Sequence, residues 1–167
     1  PWLDRVVETT ALIGGVILLL IIGVTVTNTG LFIADRIAGL VGQNVSGLSG
    51  YEDFVGLATG TAVLLLLPYC QHRRGHLSVD ILARRLPVRL NQALTRVWLV
   101  LMGIAVFALG VALFYGMVEL RSDQAVSRVL GWPVWPFLGP GVIALILWAA
   151  VALLQFWTSL GRDPERP

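Results

Sequence analysis

The sequence predicts an all-α integral membrane protein with four transmembrane helices. Apolar residues make up 56% of the 167-residue chain and charged residues 13%, and the mean hydropathy is +0.80. Soluble domains are far more polar than this. Four runs lack charged residues and have lengths suited to a hydrocarbon core about 30 Å thick. The chain has room for these spans and their connections, so we expect one membrane domain, residues 1–167, without a separate catalytic domain.

The N-terminal third contains the first span and a glycine-rich loop. Residues 1–9 place apolar side chains on one helical face and charged ones on the other, beside Trp2, which favours a membrane interface. We therefore expect a short interfacial arm helix there. Residues 10–33 form the predicted first span, and the glycines of residues 34–53 indicate a periplasmic loop.

The remaining chain contains three further apolar runs. Pro68 favours a kink or an end in the second. The arginine-rich stretch after it has helix-capping and amphipathic features that predict a short cytoplasmic amphipathic helix. The predicted segments are span two (54–71), the cytoplasmic connection (72–92), span three (93–118), a second periplasmic loop (119–135), span four (136–159) and a cytoplasmic tail (160–167).

The distribution of arginine predicts the orientation. All twelve basic residues are arginine, and six of them lie from Arg73 to Arg96, whereas the first-to-second connection has one and the third-to-fourth has two. Because cytoplasmic loops retain positive charge, this connection and both termini should be cytoplasmic. Attraction to anionic lipid also explains the pI of about 9.3, without a nucleic-acid partner.

No predicted span contains an ionisable residue away from its ends. Channels, pumps and ion-coupled carriers usually place ionisable or unwound polar elements at mid-membrane. The polar residues Thr25, Thr27 and Asn28 lie toward the outer end of span one, where helix packing or backbone bonding is favoured over ion binding. This chain alone therefore lacks the features of an ion pathway.

The sequence predicts no cofactor, no metal site and no enzyme activity. His72 and His76 are four residues apart and could share a helical face, but Gly75 weakens a helix there and the chain has no further histidine for a haem. A single cysteine, Cys70, cannot form a thiolate metal cage. The neighbouring Glu52 and Asp53 do not converge as an acid–base pair, and we expect them to cap span two.

Glycines recur along the predicted spans, and we expect them to permit close helix contacts. Gly56 and Gly60 form a GxxxG pair, the pattern typical of such packing. The glycines concerned are Gly14, Gly15, Gly23, Gly56, Gly60, Gly103 and Gly110.

The connection Arg73–Pro87, which reads RRGHLSVDILARRLP, together with the span layout resembles the small membrane subunit, or DctQ family, of tripartite ATP-independent periplasmic (TRAP) transporters. In that family an acidic residue opens the second span, a basic-Gly-His-hydrophobic-x-x-Asp run follows it, and a Leu-Pro pair precedes the third. The matching positions here are Glu52, the run Arg74, Gly75, His76, Val79 and Asp80, and the pair Leu86 and Pro87.

The resemblance implies a scaffold subunit in a bacterial inner-membrane complex. Such complexes import organic acids or similar solutes, usually with sodium, and receive the solute from a periplasmic binding protein. A large multi-span membrane subunit holds the substrate and ion sites, so the partners here would be that subunit, the binding protein and membrane lipids. The candidate structural or interface residues are Glu52, Arg73, Arg74, Gly75, His76, Asp80, Arg84 and Pro87.

Within that group we expect Asp80 to pair with Arg73, Arg74 or Arg84 and fix the cytoplasmic connection. His76 would hydrogen-bond at the interface. Two other functions stay open at this point. A stand-alone small exporter or channel would need embedded charge or an oligomeric pore, and a membrane-anchored cytochrome-type redox subunit would need paired histidines on separate helices.

Overall fold

The structure is a computed structural model that describes residues 2–73 and 87–160. Its helices are α1 (Trp2–Ala38), α2 (Tyr51–His72), α3 (Val88–Ser122) and α4 (Trp135–Leu160), with a 3-10 turn at Gly39–Val41. The described residues contain no β-strand, only an isolated bridge between Val126 and Pro133 in the α3–α4 loop. All four α-helices are long and apolar enough to cross a membrane. The prediction of an all-helical protein with four spans is therefore confirmed.

The N-terminal arm and the first span form a single helix. Helix α1 runs without a break through Thr9 and Thr10, where the arm was expected to end, and their hydroxyls donate to the carbonyls of Arg5 and Val7. At 1.5 Å per residue α1 is about 55 Å long, well beyond the hydrocarbon thickness. Helix α1 also continues to Ala38, past the expected end of span one at residue 33. The interfacial position of the arm stays a prediction.

The other helices extend the expected spans at their polar ends. Helix α3 begins at Val88 and ends at Ser122, so it exceeds the predicted 93–118 on both sides. Helix α4 begins at Trp135, with Pro136 in its first turn, where a missing N–H costs nothing. The amphipathic helix expected within the 72–92 connection lies mostly outside the described residues.

The helices are arranged in a row in the order α1–α2–α4–α3. Helix α1 packs on α2, α2 packs on α4, and α4 packs on α3. Helix α4 consequently has neighbours on two sides, and the core lies along it. Its buried side chains Leu145, Trp148 and Ala149 pack with Val106 of α3. Helices α1 and α3 are the two edges of the row.

Two glycines allow close helix contacts. A Cβ atom on Gly14 would lie 3.0 Å from the carbonyl oxygen of Ala62 on α2, and one on Gly141 would lie 2.6 Å from Cδ1 of Leu64. Neither Gly56 nor Gly60 has an atom within 4 Å of such a position. The expected close contact at this GxxxG pair is therefore wrong for the described part of the chain, because both glycines face away from the neighbouring helices.

Long-range hydrogen bonds define the two ends of the row. At the terminal end, where α1 and α3 begin and α2 and α4 end, Gln71 bonds Gln155. At the opposite end, the loop end, α1 and α3 end and α2 and α4 begin. There the Asp53 carboxylate accepts a hydrogen bond from the α3–α4 loop. Both ends of the described chain thus lie at the terminal end.

Candidate functional site

Polar side chains of the described residues are concentrated at the two ends of the row. No group of three or more His, Cys, Asp or Glu residues that could hold a metal ion occurs in the ranges 2–73 and 87–160.

At the terminal end, a histidine–carboxylate contact and an arginine–glutamate ion pair join the start of α1 to the end of α2. The Nε2 atom of His72 lies 2.7 Å from Oδ1 of Asp4, and Nη2 of Arg73 lies 3.5 Å from Oε1 of Glu8. The Arg73 guanidinium also lies over the ring of Tyr69. All four pairing side chains are partly exposed, so these contacts orient α1 more than they stabilise it.

A buried amide network joins α2 to α4 at the same end. Gln71 is only 6% exposed. Its Nε2 donates to Oε1 of Gln155 at 2.8 Å. In return, Nε2 of Gln155 donates to the backbone carbonyl oxygen of Gln71, also at 2.8 Å. The indole N–H of Trp148 points at Oε1 of Gln71, at 3.4 Å. Reasoning from the sequence missed this network, although a glutamine near the end of two apolar runs was its signal.

We expect Gln71→Leu to lower the free energy of unfolding by about 1–2 kcal/mol, because Oε1 of Gln155 loses its amide donor at the α2–α4 contact. The measurement is denaturation of the purified protein in mixed micelles. The double variant Gln71→Leu with Gln155→Leu should regain part of the loss, since it removes both polar groups. A single variant as stable as the unmodified protein would show that the network contributes nothing.

At the loop end, Asp53 reaches across to the α3–α4 loop. Its Oδ2 accepts hydrogen bonds from the backbone N–H groups of Val129, at 2.7 Å, and Leu130, at 3.1 Å. Helix α2 itself begins after Gly50, without a side-chain cap. Glu52 and Asp53 both lie in the first turn of α2, where their negative charge suits the helix dipole as expected. Neither caps the helix with a side-chain hydrogen bond, and the hydrogen bonds of Asp53 go to another loop. We call Asp53 and the two amides the loop clasp.

Gly50 makes room for the loop clasp. Its φ is +79°, a conformation that residues with a Cβ atom rarely adopt. A Cβ atom there would lie 2.6 Å from Cγ of Leu130. Glycine at this position is thus required both by the backbone and by the neighbouring loop.

The first loop folds back onto α1. Oδ1 of Asn28, a residue only 2% exposed, accepts from the N–H of Leu48, and Oδ1 of Asp35 accepts from the N–H of Val45. The hydroxyls of Thr25 and Thr27 donate to carbonyls one turn earlier. The interpretation of these polar residues as backbone-bonding groups is confirmed.

The sequence-predicted residues that the structure describes do not form one cluster. Glu52 is exposed at the loop end, Arg73 is exposed at the terminal end, and Pro87 directly precedes α3. The remaining candidates, Arg74, Gly75, His76, Asp80 and Arg84, lie outside the described residues. The pairing of Asp80 with an arginine and the hydrogen bond of His76 stay predictions.

The edges of the row expose apolar side chains along their length. Helix α1 has few buried positions, and large apolar side chains of α1 and α3 are exposed throughout the predicted spans. Examples are Leu12, Leu19 and Val26 on α1 and Trp98, Ile104 and Phe107 on α3. Such surfaces suit lipid chains or other membrane helices.

The comparisons with known proteins identify the family. The profile of the family described as "Tripartite ATP-independent periplasmic transporters, DctQ component" matches residues 37–162. This match runs from the last turn of α1 through α2, α3 and α4. Comparison with curated proteins and with solved structures finds no significant match. With four membrane-spanning helices and a family match over more than half of its length, the chain belongs to the DctQ family of TRAP transporter components.

Proposed function

We propose that this chain is the small scaffold subunit of a secondary-active transporter in a bacterial inner membrane. The complete transporter would contain a large multi-span membrane subunit and a periplasmic solute-binding protein. It would import organic acids or similar solutes, driven by an ion gradient and most simply by sodium, as the family resemblance implies. The observation that carries the scaffold role is the absence of ionisable residues from the middle of every span in a transporter component.

The continuity of the helices favours a scaffold role over a transport role for this chain. Ion and solute sites in carriers are typically built where helices are interrupted at mid-membrane. Here α1, α2, α3 and α4 each run unbroken through the predicted spans. Polar contacts between helices occur toward the two ends, at Gln71 and Asp53, and at the middle of α2, where the Thr61 hydroxyl donates to the Phe137 carbonyl at 2.7 Å. A row of continuous helices is suited to holding a neighbour in place.

The row also leaves surface for the large subunit. An enclosed four-helix bundle would cover most of its apolar side chains, whereas here the edge helices α1 and α3 remain exposed. In a membrane these edges must contact lipid or other helices, and close van der Waals packing is the force that joins helices there. The exposed edges therefore support assembly with a larger membrane protein.

The charge distribution supports a cytoplasmic terminal end. Arg5, Arg73, Arg89 and Arg96 lie at that end, and the undescribed connection and tail add further arginines. The loop end would then face the periplasm and the binding protein. Both termini would be cytoplasmic.

The test begins with the native assembly. A tagged copy of the chain is solubilised mildly from its own membrane, and the copurifying proteins are identified by mass spectrometry. We expect a large multi-span subunit. Proteoliposomes containing that subunit with this chain, supplied with the binding protein, should then take up solute only under an inward sodium gradient.

Two controls separate this proposal from its alternatives. Liposomes containing this chain alone should show no uptake, and replacing sodium by potassium should abolish uptake by the complex. Transport by the chain alone would favour the exporter or channel. A haem absorption band in the purified chain would favour the cytochrome-type subunit, and either result would overturn the scaffold proposal.

A further inference from the structure

The loop between α3 and α4 folds into a closed turn over residues 125–134, which we call the bridged turn. An isolated β-bridge between Val126 and Pro133 closes it. The N–H of Ser127 donates to the carbonyl of Trp132 at 2.8 Å, and the N–H of Trp132 donates back to the Ser127 hydroxyl at 3.1 Å. The two amides of the loop clasp lie at its tip. The backbone of the bridged turn is therefore held at both its base and its tip.

This ordered turn exposes apolar side chains. Val126 is 58% exposed, Val129 63% and Trp132 44%. Turns that face water are dominated by Gly, Pro, Asn, Asp and Ser. A group of exposed apolar side chains on a fixed backbone marks a surface that contacts either another protein or a membrane. The level of the bridged turn relative to the spanning helices distinguishes these two.

Two contacts place the bridged turn level with the starts of α2 and α4. The loop clasp joins its tip to Asp53, in the first turn of α2. The ring of Trp132 stacks on that of Phe137, in the first turn of α4, with 6.3 Å between the ring centroids. Both helices can cross a membrane, and Asp53 and Phe137 are each followed by a run of at least 18 residues without charge. The bridged turn therefore lies where two spans enter the hydrocarbon core.

The side chains around the bridged turn are of the types found at a membrane interface. Tryptophan is enriched at the headgroup level, where its ring contacts hydrocarbon and its N–H meets water. The guanidinium of Arg121 lies over the ring of Trp135, 5.0 Å from the centroid. Arg128, within the turn, is exposed. Arginine can lay its stem along apolar surface while its charge stays hydrated, so this combination suits the headgroup level of a bilayer.

We infer that the bridged turn is an interfacial anchor that inserts Val126, Val129 and Trp132 among the lipids of the leaflet at the loop end. The lipid surface is its partner, and removal of these side chains from water is the driving force. Because the loop clasp ties the turn to α2, the anchor also fixes the depth of that helix in the bilayer. The inference requires a membrane around the chain and does not depend on its role in transport.

Quenching of a fluorescent label from the lipid side tests the anchor. The single, exposed cysteine is removed by Cys70→Ala, and Val129→Cys provides the labelling site while keeping the backbone N–H of the loop clasp. The full chain carries an environment-sensitive nitrobenzoxadiazole label and is placed singly in phosphatidylcholine nanodiscs. Lipids with a nitroxide at the top of the acyl chain should quench this label several-fold more strongly than the same label at Asp123→Cys.

Asp123 is the matched control because it is an exposed, charged residue of the same loop, directly after α3. Its label has the same affinity for lipid, so a difference between the two positions reports the site and not the label. Iodide in the buffer should quench the Asp123→Cys label more strongly than the Val129→Cys label. Equal access of iodide to both labels overturns the inference, because the turn would then face water and be free for a protein partner.

A second labelling site protects the test against a distorted tip. Val126→Cys lies at the base of the bridged turn and leaves both residues of its tip in place. In chains that elute as folded species in size-exclusion chromatography, this label should show the same strong quenching by lipid. Quenching by lipid no stronger than at Asp123→Cys, at either valine position, would show that the turn stands away from the membrane.

Discussion

Replacing Gly14 with leucine is expected to separate α1 from α2 and to lower the free energy of unfolding by about 2–3 kcal/mol. The reason is the close approach of the two helices at this point. A Cβ atom on Gly14 would lie 3.0 Å from the backbone oxygen of Ala62 and 3.2 Å from Cβ of Leu65. Neither atom can move without shifting α2, so the larger side chain must push the helices apart.

The neighbouring glycine provides the control. A Cβ atom on Gly15 would meet no atom within 4 Å, and both substitutions gain the same helix propensity. Gly15→Leu should therefore leave stability unchanged or raise it slightly. The measurement is a titration of the purified protein from mild detergent into sodium dodecyl sulfate, followed by tryptophan fluorescence. Equal transitions for the two leucine variants would contradict the packing that the structure assigns to Gly14.

The sequence predicts the spans well because hydrophobicity over about 20 residues is a property of the local chain. The charge-free runs and the arginine-rich connection can be read without knowing which helices meet. The packing order could not be read in this way. In a membrane, both lipid-facing and helix-facing surfaces are apolar, so Gly14 and Gly15 look alike in sequence although only Gly14 faces α2.

The polar contacts were missed for a related reason. Asp53 stands in the first turn of α2, where a capping role is the natural local interpretation. Its actual partners are the backbone N–H groups of Val129 and Leu130, which lie far along the chain. Backbone amides have no signature in the sequence, so this contact could not be predicted. The Gln71 and Gln155 pair was recognisable only once α2 and α4 were known to be neighbours.

The loop clasp leads to the second large effect that we expect. Asp53→Ala should release the α3–α4 loop, and the amide hydrogens of Val129 and Leu130 should exchange on the order of tenfold faster or more. Both amides donate to the same carboxylate oxygen in the folded chain, and charged acceptors form the stronger hydrogen bonds. Hydrogen–deuterium exchange with mass spectrometry on the protein in lipid nanodiscs measures the change directly.

The adjacent acid makes the experiment specific. Glu52 lies in the same helical turn and is exposed, so Glu52→Ala removes an equal charge from the loop end without touching the clasp. Exchange in the α3–α4 loop should stay slow in that variant, whereas equal acceleration by the two substitutions would mean that charge alone orders the loop. Asp53→Asn retains one carbonyl oxygen as an acceptor and should fall between Asp53→Ala and the unmodified chain. If the loop end receives the binding protein, solute uptake by the assembled transporter should decline in the same order, because a released loop must be reordered before it can present a fixed surface.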